Sequence, residues 1–531
     1  MAEKMKRILD SVHGYVAIPA LYVDNIIDTP QFQRLRRIEQ TSCRALFPSA
    51  RHDRFIHSIG VFHLGTLIVE HLWNEVLSQE EKQDANLVAI IITYRLACLL
   101  HDVGHTPFSH TFEEYFDNDD NNLIRTLASC IPEDENFEHD FTSQFTNDDE
   151  HLYAAHELLS AIVAIRYFKE VIESPLNEWK DQRMSGIPSL LVRMIVGCRY
   201  LRAGKSLENA FIELLHSEII DADGLDYVCR DVWASGYSTS KVDVSRLISA
   251  IILCRGDNGN YVVCYSDKAL NEIKSVLSVK TFQNDFVFNH HTIVMEQKIL
   301  QLAMESAAMY HFDITPSPED DLEDVRRSAL ERLCNINMYY ERGFAVSPTE
   351  CIKNPMDDDF IHLMKVVGDA DEYINLWFRR KFKWIPLWKR KETFLADISE
   401  EQRNDLDESS WVFSDLCKEY LAQQCHTDME AIVFSPIKSK NRLEKLEKAM
   451  MYSNGRPCAY TKIFPKQDRK ESSKKEGKDI TKSPYVCYIF IPSNMEVQRN
   501  RIQSLLLAEW KKHIRKEKVS FLQKMKNFFK N

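Results

Sequence analysis

The chain has 531 residues, of which 44% are hydrophobic and 27% charged, a globular composition on a chain too long for one ordinary domain. With only 15 Gly and 17 Pro, turn formers are scarce, and helix is favoured over strand. The formal net charge of −12 excludes a global field that would attract nucleic acid or an anionic membrane, so such binding would need a local basic patch.

Cysteine usage and the first residues predict the compartment. Thirteen cysteines are scattered without a CxxC pair, and the opening MAEKMKRILD lacks the apolar core of a signal peptide. We therefore expect a reducing, cytoplasmic location. The most apolar run, NLVAIIITYRLACLL, is too short to span a bilayer and contains Arg95, so we expect a buried helix and no membrane segment.

Roughly the first 300 residues carry a succession of amphipathic helical patterns, with apolar residues three and four positions apart. The predicted helices are TPQFQRLRRIEQ (29–40), SIGVFHLGTLIVEHLWNEVL (58–77), NLVAIIITYRLACLLHD (86–102), HLYAAHELLSAIVAIRYFKEVI (151–172) and SLLVRMIVGCRYL (189–201). These patterns predict a mainly α fold.

Residues 113–150 interrupt this series. They contain 13 acidic side chains against the single Arg125. A loop of this length is usually functional or disordered. Because its charge would repel an anionic substrate, we expect a surface insertion that lies away from the functional site.

The C-terminal part changes character twice. Residues 311–427 still show helical patterns, whereas from 428 onwards the short β-branched and aromatic runs MEAIVFSPI, CAYTKIFP and YVCYIFIP alternate with two helical stretches. We predict a small α+β subdomain at 428–531, with a charged loop at 466–483. The end, residues 509–531, carries eight Lys/Arg against two Glu; it is either a solvated helix face or a contact for phosphates or a partner.

One short stretch concentrates potential metal ligands. LLHDVGHTPFSH (99–110) contains three histidines and an aspartate, and Gly104 and Pro107 are expected to stop the preceding helix. His101 and Asp102, at that helix end, can reach one cation with a neutral nitrogen and an anionic oxygen. His57 lies upstream in RHDRFIHSIGV and offers a further imidazole.

A second helical pattern supplies acidic residues. In SEIIDADGLDYVCRDVWASGY, Asp223, Asp226, Tyr227 and Arg230 fall on one helix face, with Asp231 beside it. Carboxylates buried on one face repel each other unless a cation or arginines compensate them. The pattern therefore points to a bound metal, a basic partner, or both.

These segments closely resemble the HD-domain metallophosphohydrolases, in the branch of deoxynucleoside triphosphate triphosphohydrolases. RFIHSIGV, LLHDVGHTPFSH, the His156–Glu157 pair and DADGLDYVCRD stand in the order of that family, and DSVHGYVAIPALYVDNIIDTPQFQRLRRIEQ is also typical of it. The resemblance covers about residues 8 to 310. It implies a helical HD-domain core at 1–310 that includes the acidic insertion 113–150, followed by the helical extension 311–427 and the α+β subdomain.

The resemblance assigns the metal ligands. It implies that His57, His101, Asp102 and Asp223 hold one divalent ion. Two imidazoles and two carboxylates suit an octahedral Mn, Mg, Fe or Ni ion with open positions, and suit Zn less well. The competing interpretation is a structural cluster of satisfied polar groups.

The resemblance also implies roles around the metal. His105, His110 and His156 would face the phosphates, one of them as general acid or as the group that orients the attacking water, with Glu113 holding His156. Taken singly, each of these histidines could instead be a capping or core residue. Arg54 would bind a phosphate, and the sugar would be held by Gln40, Tyr227 and Asp231.

The sequence departs from the family pattern where phosphates bind. Gly224 stands where an animal member of the family has a phosphate-binding lysine. The stretch around Asn289 resembles a family segment, but the arginines expected just before it are missing, and Lys280 is the cation left for a terminal phosphate. Each lost cation weakens the hold on a triphosphate. A shorter phosphate chain, or phosphates bound through magnesium and a neighbouring subunit, would fit equally well.

Three functions are compatible with these residues. The first is hydrolysis of a deoxynucleoside triphosphate to deoxynucleoside and triphosphate, by attack of activated water at the α-phosphorus. The second is an HD-type phosphodiesterase or nuclease on single strands or other phosphoesters, which the basic tail and the loop at 466–483 favour. The third, a non-catalytic nucleotide- or nucleic-acid-binding scaffold, would not need four metal ligands. The resemblance implies a homo-oligomer.

Overall fold

The computed structural model divides the chain into two compact units. It describes residues 4–118, 122–147, 150–151, 153–173, 186–236, 242–336, 344–347, 350–368, 371–408, 410–427, 432–438, 442–464 and 485–528. The first unit comprises Met1–Gln283, Gln297–Asn375 and Arg442–Phe464, and the second comprises Asn284–Glu296, Leu376–Asn441 and Pro465–Asn531. The mainly α class with small sheets is confirmed, while the predicted domain boundaries stay a prediction.

Helices form the core of the first unit. The main ones are Arg54–His71, Ala85–Leu100, Leu123–Cys130, Phe137–Phe145, Ala155–Glu173, Ile187–Val196, Ser206–His216, Ala222–Ser235, Val244–Ser249, Leu270–Gln283, Leu322–Leu333 and Asp357–Val367. The helix Arg54–His71 packs against Ala85–Leu100 and Ala222–Ser235. The three helices that carry the predicted metal ligands are therefore neighbours.

Local sequence signals set where these three helices begin. Asp53, Asp84 and Asp221 are the N-cap residues, and each carboxylate accepts a backbone N–H of the first turn. The second helix ends at Leu100, so His101 caps it and Asp102 already lies in the turn beyond. Capping thus fixes the start of each ligand-bearing helix.

Strands that the helical patterns concealed complete the first unit. A hairpin pairs Met5–Asp10 with Gly14–Pro19, and a four-stranded sheet has the order Arg456–Ala459, Met450–Ser453, Tyr261–Ser266, Ile251–Arg255. The stretch KNRLEKLEKAMMY (440–452), one of the two predicted helical stretches, contains a 3-10 helix at Arg442–Lys448 followed by the strand Met450–Ser453. In CAYTKIFP the strand ends at Ala459, and Tyr460–Ile463 is helical. The loop predicted at 466–483 lies outside the described residues.

The acidic segment 113–150 is not a long loop. Residues 123–130 and 137–145 are helical, and Leu123, Leu127, Phe137 and Phe141 are buried. Apolar contacts at four-residue spacing therefore anchor the segment despite its charge. The interpretation of this segment as a loop is wrong.

A fully buried arginine compensates part of that charge. Arg193 Nε lies 2.7 Å from Asp134 and Nη1 lies 3.0 Å from Asp140, and its guanidinium stacks over the ring of Tyr200. Burial raises the pKa of Asp134, but the bonds from Arg193 and Ser189 outweigh it, and the pKa lies below its usual value.

Replacing Arg193 by methionine is expected to lower the free energy of unfolding by about 3 to 5 kcal/mol, because two buried carboxylates lose their partner. Urea denaturation followed by circular dichroism measures this loss. Arg199→Met is the control: Arg199 is 52% exposed and pairs with Glu213, so its loss should cost about 1 kcal/mol or less. Equal losses in the two variants would contradict the prediction.

One helical stretch, Arg54–Val76, is long and apolar enough to cross a membrane by length and composition alone, among the residues that the structure describes. Two thirds of its apolar window is buried inside the protein, as in the core helix of a globular fold. Its N-terminal residues Arg54 and His57 are themselves buried.

The second unit has its own core. The strands Val433–Lys438, Tyr485–Pro492 and Trp384–Pro386 form an antiparallel sheet with Tyr485–Pro492 at its centre. Its helices include Lys391–Asp397, Glu400–Glu408, Ser410–Cys425 and Arg499–Phe528. Trp510 and Leu506 are fully buried in this core, and the Trp510 indole N–H donates to Asp405 at 2.6 Å.

Candidate active site

The predicted metal ligands lie close together: the ligand atoms of His57, His101 and Asp102 are all within 4.8 Å of one another, and Asp223 contacts the two histidines. His57 Nε2 lies 3.0 Å from Asp223 Oδ1 and 3.3 Å from His101 Nε2. Asp102 Oδ2 lies 3.7 Å from His57 Nε2 and 3.6 Å from His101 Nε2. Two donors at adjacent positions of an ion, each about 2.1 Å from it, are about 3 Å apart. The donor set and its spacing therefore fit one divalent cation.

Burial and neighbouring charges shift the pKa values of the ligand side chains. Burial by itself would lower the pKa of His57, but Asp223 and Asp226 raise it to about 10, so a cation would have to displace the proton on Nε2. Burial likewise opposes the charged form of Asp223, yet the hydrogen bond from His57 brings the pKa of that carboxyl down to about 2. His57 and Asp102 are buried, whereas the Asp223 side chain is 41% exposed. The site is thus open on the Asp223 side.

His101 is oriented by its own helix. Its Nδ1–H donates to the Cys98 carbonyl at 3.0 Å, which leaves Nε2 toward the other ligands. Burial lowers the pKa of His101, so the neutral imidazole that a cation requires is favoured.

His57 is oriented by a buried network that the sequence patterns did not reveal. Its Nδ1–H donates to Asp226 Oδ2 at 2.7 Å, and the other oxygen of Asp226 accepts His13 Nε2–H, also at 2.7 Å. Arg230 pairs with Asp226 and, at 2.7 Å, with Asp10. The i, i+3 spacing of Asp223 and Asp226 placed both on one helix face, but the partners from the hairpin are more than two hundred residues away. Such support fixes the tautomer of a ligating histidine.

Replacing Asp226 by asparagine is expected to weaken Mn²⁺ binding about 10- to 100-fold, because an amide no longer secures the Nδ1–H tautomer of His57. Titration calorimetry on the apoprotein measures this affinity. Asp231→Asn is the matched control, since Asp231 lies on the same helix and also pairs with a histidine, His52 at 2.7 Å. An unchanged affinity in a folded Asp226→Asn protein would refute the role.

Gly104 lets the ligand-bearing turn lie close to its neighbour. A Cβ on Gly104 would sit 2.5 Å from the backbone of Leu159 and Ser160, and the Gly104 N–H donates to Ser160 Oγ at 3.0 Å. The sequence predicted a helix-stopping role for this glycine, whereas the structure shows that it is needed for close approach to the helix Ala155–Glu173. That approach brings His156 to the turn.

Three histidines form a second cluster beside the ligands. The rings of His105 and His156 stack with centroids 4.4 Å apart, and His110 meets each of them edge-on at 5.0 Å. Glu113 accepts His156 Nδ1–H and His110 Nδ1–H, both at 2.7 Å. Among the described residues, both ring nitrogens of His105 are buried without a hydrogen-bond partner.

The environment separates the proton affinities of these histidines. For His156, burial is outweighed by the Glu113 carboxylate, which raises the pKa to about 9. For His105, burial and the nearby charges of Arg54 and His156 hold the pKa well below its usual value. A protonated His156 therefore stacks on a neutral His105, an arrangement that suits proton donation to a leaving oxygen.

The predicted phosphate and sugar residues lie nearby with varied contacts. Arg54 is buried, donating to Asp102 Oδ2 at 2.7 Å, Ser109 Oγ at 3.0 Å and the Gln40 carbonyl at 3.2 Å. Gln40 Oε1 is buried and without a partner among the described residues. Asp231 pairs with His52. Their contacts to substrate stay predictions.

Lys280 occupies the space next to Gly224. Its buried ammonium lies 3.7 Å from Asp221 and 5.5 Å from the ring centre of Tyr227, and a Cβ at Gly224 would overlap it. The missing side chain at 224 thus makes room for a cation from another helix. Asn289 belongs to the second unit, where it follows the short π-helix Asn284–Phe288.

Residues 54–179 match the profile of the family described as "HD domain", so the chain contains an HD domain, and the resemblance found in the sequence is confirmed.

Named relatives are consistent with this class. The chain is 30% identical to "Deoxynucleoside triphosphate triphosphohydrolase SAMHD1" of Gallus gallus over 54% of this chain and 43% of that protein. It is 24% identical to "Putative HD domain-containing protein L394" of Acanthamoeba polyphaga mimivirus over 55% of each. The chain spans about half the length of the curated relatives it matches.

A solved structure extends the likeness in fold. It is that of a hypothetical protein from Aquifex aeolicus, with a TM-score of 0.52 and 19% identity, covering 94% of this chain and 99% of that one. At this identity the likeness concerns the fold alone.

Proposed function

We propose that this protein is a metal-dependent phosphohydrolase that acts on nucleotides, and that its substrate is a deoxynucleoside triphosphate cleaved to deoxynucleoside and triphosphate. The observation that carries the proposal is the grouping of His57, His101 and Asp102 within 3.3–3.7 Å of one another, with Asp223 Oδ1 3.0 Å from His57 and 3.9 Å from His101. The cluster of His105, His110 and His156 lies beside them. The SAMHD1 relatives, described as triphosphohydrolases, supply the substrate class.

The residues of the site have different roles in the proposed reaction. His57, His101, Asp102 and Asp223 would hold a divalent cation, whose Lewis acidity would lower the pKa of a bound water and polarise a phosphoryl oxygen. Neutral His105 can donate its one ring N–H to the phosphate, and protonated His156, held by Glu113, donates a proton to the departing oxygen. Lys280 balances negative charge along the phosphate chain.

Other features of the proposal rest on the sequence and the resemblance. We propose Mn²⁺ as the ion, with Mg, Fe or Ni as alternatives, a homo-oligomeric assembly and a cytoplasmic location. A metal analysis of the purified protein and its molar mass in solution test the first two, and imaging of the tagged protein in cells tests the third.

Chromatography of reaction products tests the function. The Mn²⁺-loaded protein is incubated with each dNTP, each NTP and a single-stranded oligonucleotide. Deoxynucleoside plus intact triphosphate supports the proposal and ranks the bases. Orthophosphate, pyrophosphate or shortened oligonucleotide would overturn the dNTP assignment and move the site to another phosphoesterase class.

A further inference from the structure

The turn that carries His105 contains two residues in a costly backbone conformation. Phe108 and Ser109 have φ angles of +55° and +53°, in the left-handed region that residues with a Cβ seldom adopt. Adjacent residues in this region persist only where surrounding contacts hold them. The contacts that do so come from a part of the chain well outside the HD-domain match.

Asp357 supplies the first of these contacts. It is the first residue of the helix Asp357–Val367, it is 7% exposed, and its two oxygens accept different backbone N–H groups. Oδ1 accepts the Phe108 N–H at 2.6 Å, and Oδ2 accepts the Glu39 N–H at 3.0 Å. One carboxylate thus joins the turn to the segment that precedes the Arg54 helix.

Arg34 provides a second connection between the same segments. Its buried guanidinium donates twice to the Pro355 carbonyl, at 2.8 and 3.1 Å. It also donates to the carbonyls of His105, at 2.8 Å, and Val103, at 3.3 Å. The residues just before Asp357 are therefore tied to the start of the turn.

The Phe108–Ser109 turn also positions Arg54, which contacts the predicted metal ligand Asp102. Ser109 Oγ donates to the Glu39 carbonyl and accepts Arg54 Nε–H at 3.0 Å. Arg54 Nη1 then contacts Asp102 Oδ2 at 2.7 Å. Displacement of Ser109 would therefore reach Asp102 through a single side chain.

The buried carboxylate is expensive to keep. Burial raises the pKa of Asp357 to about 7, even though the N–H groups of Phe108 and Glu39 and the charges of Arg44 and Arg34 lower it. The neighbouring Asp358 shows the ordinary alternative, since its side chain is 65% exposed beside Arg37. Because burying a charged carboxylate costs free energy, we infer that Asp357 has a structural role beyond solubility or helix capping.

We propose that Asp357 is a positioning residue of the active site, which holds the Phe108–Ser109 turn so that His105 and Arg54 keep their places around the phosphate and Asp102. The inference rests on the proposed phosphohydrolase function, because turnover is its main readout. It assigns a role in the site to a residue about 250 positions downstream of the HD motif.

The test compares Asp357→Asn with Asp358→Asn in the full chain. An asparagine can accept one of the two N–H groups and directs its own N–H at the other, so the turn loses a contact. In Asp357→Asn we expect kcat to fall about 100-fold, KM to rise because the phosphate is held less well, and bound Mn²⁺ per chain to stay at the wild-type value. Asp358→Asn should match the wild type in all three.

Further measurements separate positioning from stability and from the reaction. Turnover is measured well below the unfolding transition of each variant, where a stability defect alone would disappear. Binding of tripolyphosphate to the Mn²⁺-loaded protein, expected to weaken in Asp357→Asn, reads the site without turnover. If Asp357→Asn does not fold, Asp357→Glu, which keeps the charge but shifts the oxygens, takes its place.

The outcomes are distinct for the two proposals. Absence of turnover in the wild type on every substrate overturns the proposed function but leaves the tripolyphosphate comparison to decide the positioning role. Wild-type turnover and wild-type tripolyphosphate binding in folded Asp357→Asn overturn the positioning role and leave the function untouched.

Discussion

Replacing Asp102 by alanine is expected to abolish metal binding and turnover together. Asp102 Oδ2 lies within 3.7 Å of both His57 Nε2 and His101 Nε2, so its removal leaves three donors and a site with less negative charge. Turnover should fall at least about 1,000-fold, since loss of even one stabilising donor in an active site costs about 100- to 1,000-fold. Atomic emission of the purified variant and product chromatography measure the two effects.

The loss of Asp102 also leaves Arg54 buried without its carboxylate, which threatens folding. Asp223→Ala is therefore the companion variant, because the Asp223 side chain is 41% exposed and its loss disturbs the core less. His101→Ala should behave like both. Glu114→Gln, an exposed carboxylate near the histidine cluster, is the control and should keep metal and activity. A variant that lacks metal yet retains turnover would sink the assignment.

Replacing His156 by glutamine is expected to lower kcat about 100- to 10,000-fold while the metal content stays unchanged. His156 contacts Glu113 and His105 rather than the four ligands, so its loss removes a proton donor and leaves the cation site intact. His139→Gln, at a 76% exposed position, is the control and should have no effect. Loss of metal together with activity would show instead that His156 supports the ligand set.

The pH dependence of kcat tests the role of His156 as proton donor. Because the pKa of His156 is raised to about 9, the imidazolium that donates the proton is present below that pH and is lost above it. The wild-type kcat should therefore decline as the pH rises through about 9, and this decline should be absent in His156→Gln. In Glu113→Gln, where the carboxylate that raises the pKa is gone, the decline should begin at lower pH.

The parts of the site that sequence could predict are those encoded locally. Three of the predicted ligands lie at helix ends: His101, Asp102 and Asp223. The capping residues and the apolar periodicity that define these helices can be recognised within a short stretch of sequence. The cluster of His105 and His110 lies on the same turn. Local spacing, however, places residues on a helix face without revealing which residues pack against that face.

The parts that sequence could not predict depend on pairs far apart in the chain. Buried Asp226 contacts His13 of an N-terminal hairpin that the helical patterns did not reveal, and Asp10 of that hairpin shares its Arg230 partner. Asp357 contacts Phe108 across 249 positions. The helices of 113–150 were not predicted, because the high negative charge of this segment suggested a loop despite its apolar residues at four-residue spacing. Charge density alone does not reveal a buried counterion such as Arg193.

The four-stranded sheet has a consequence for synthesis of the protein. Met451 and Tyr452 pair with Tyr265 and Ser266, so the strand Tyr261–Ser266 leaves the ribosome long before its partner does. At about 5 to 20 residues per second, its free edge waits about 10 to 40 s for that partner. An unpaired edge invites pairing with strands of other nascent chains. Production of this protein should therefore benefit from slow expression and from chaperones that shield exposed strand edges.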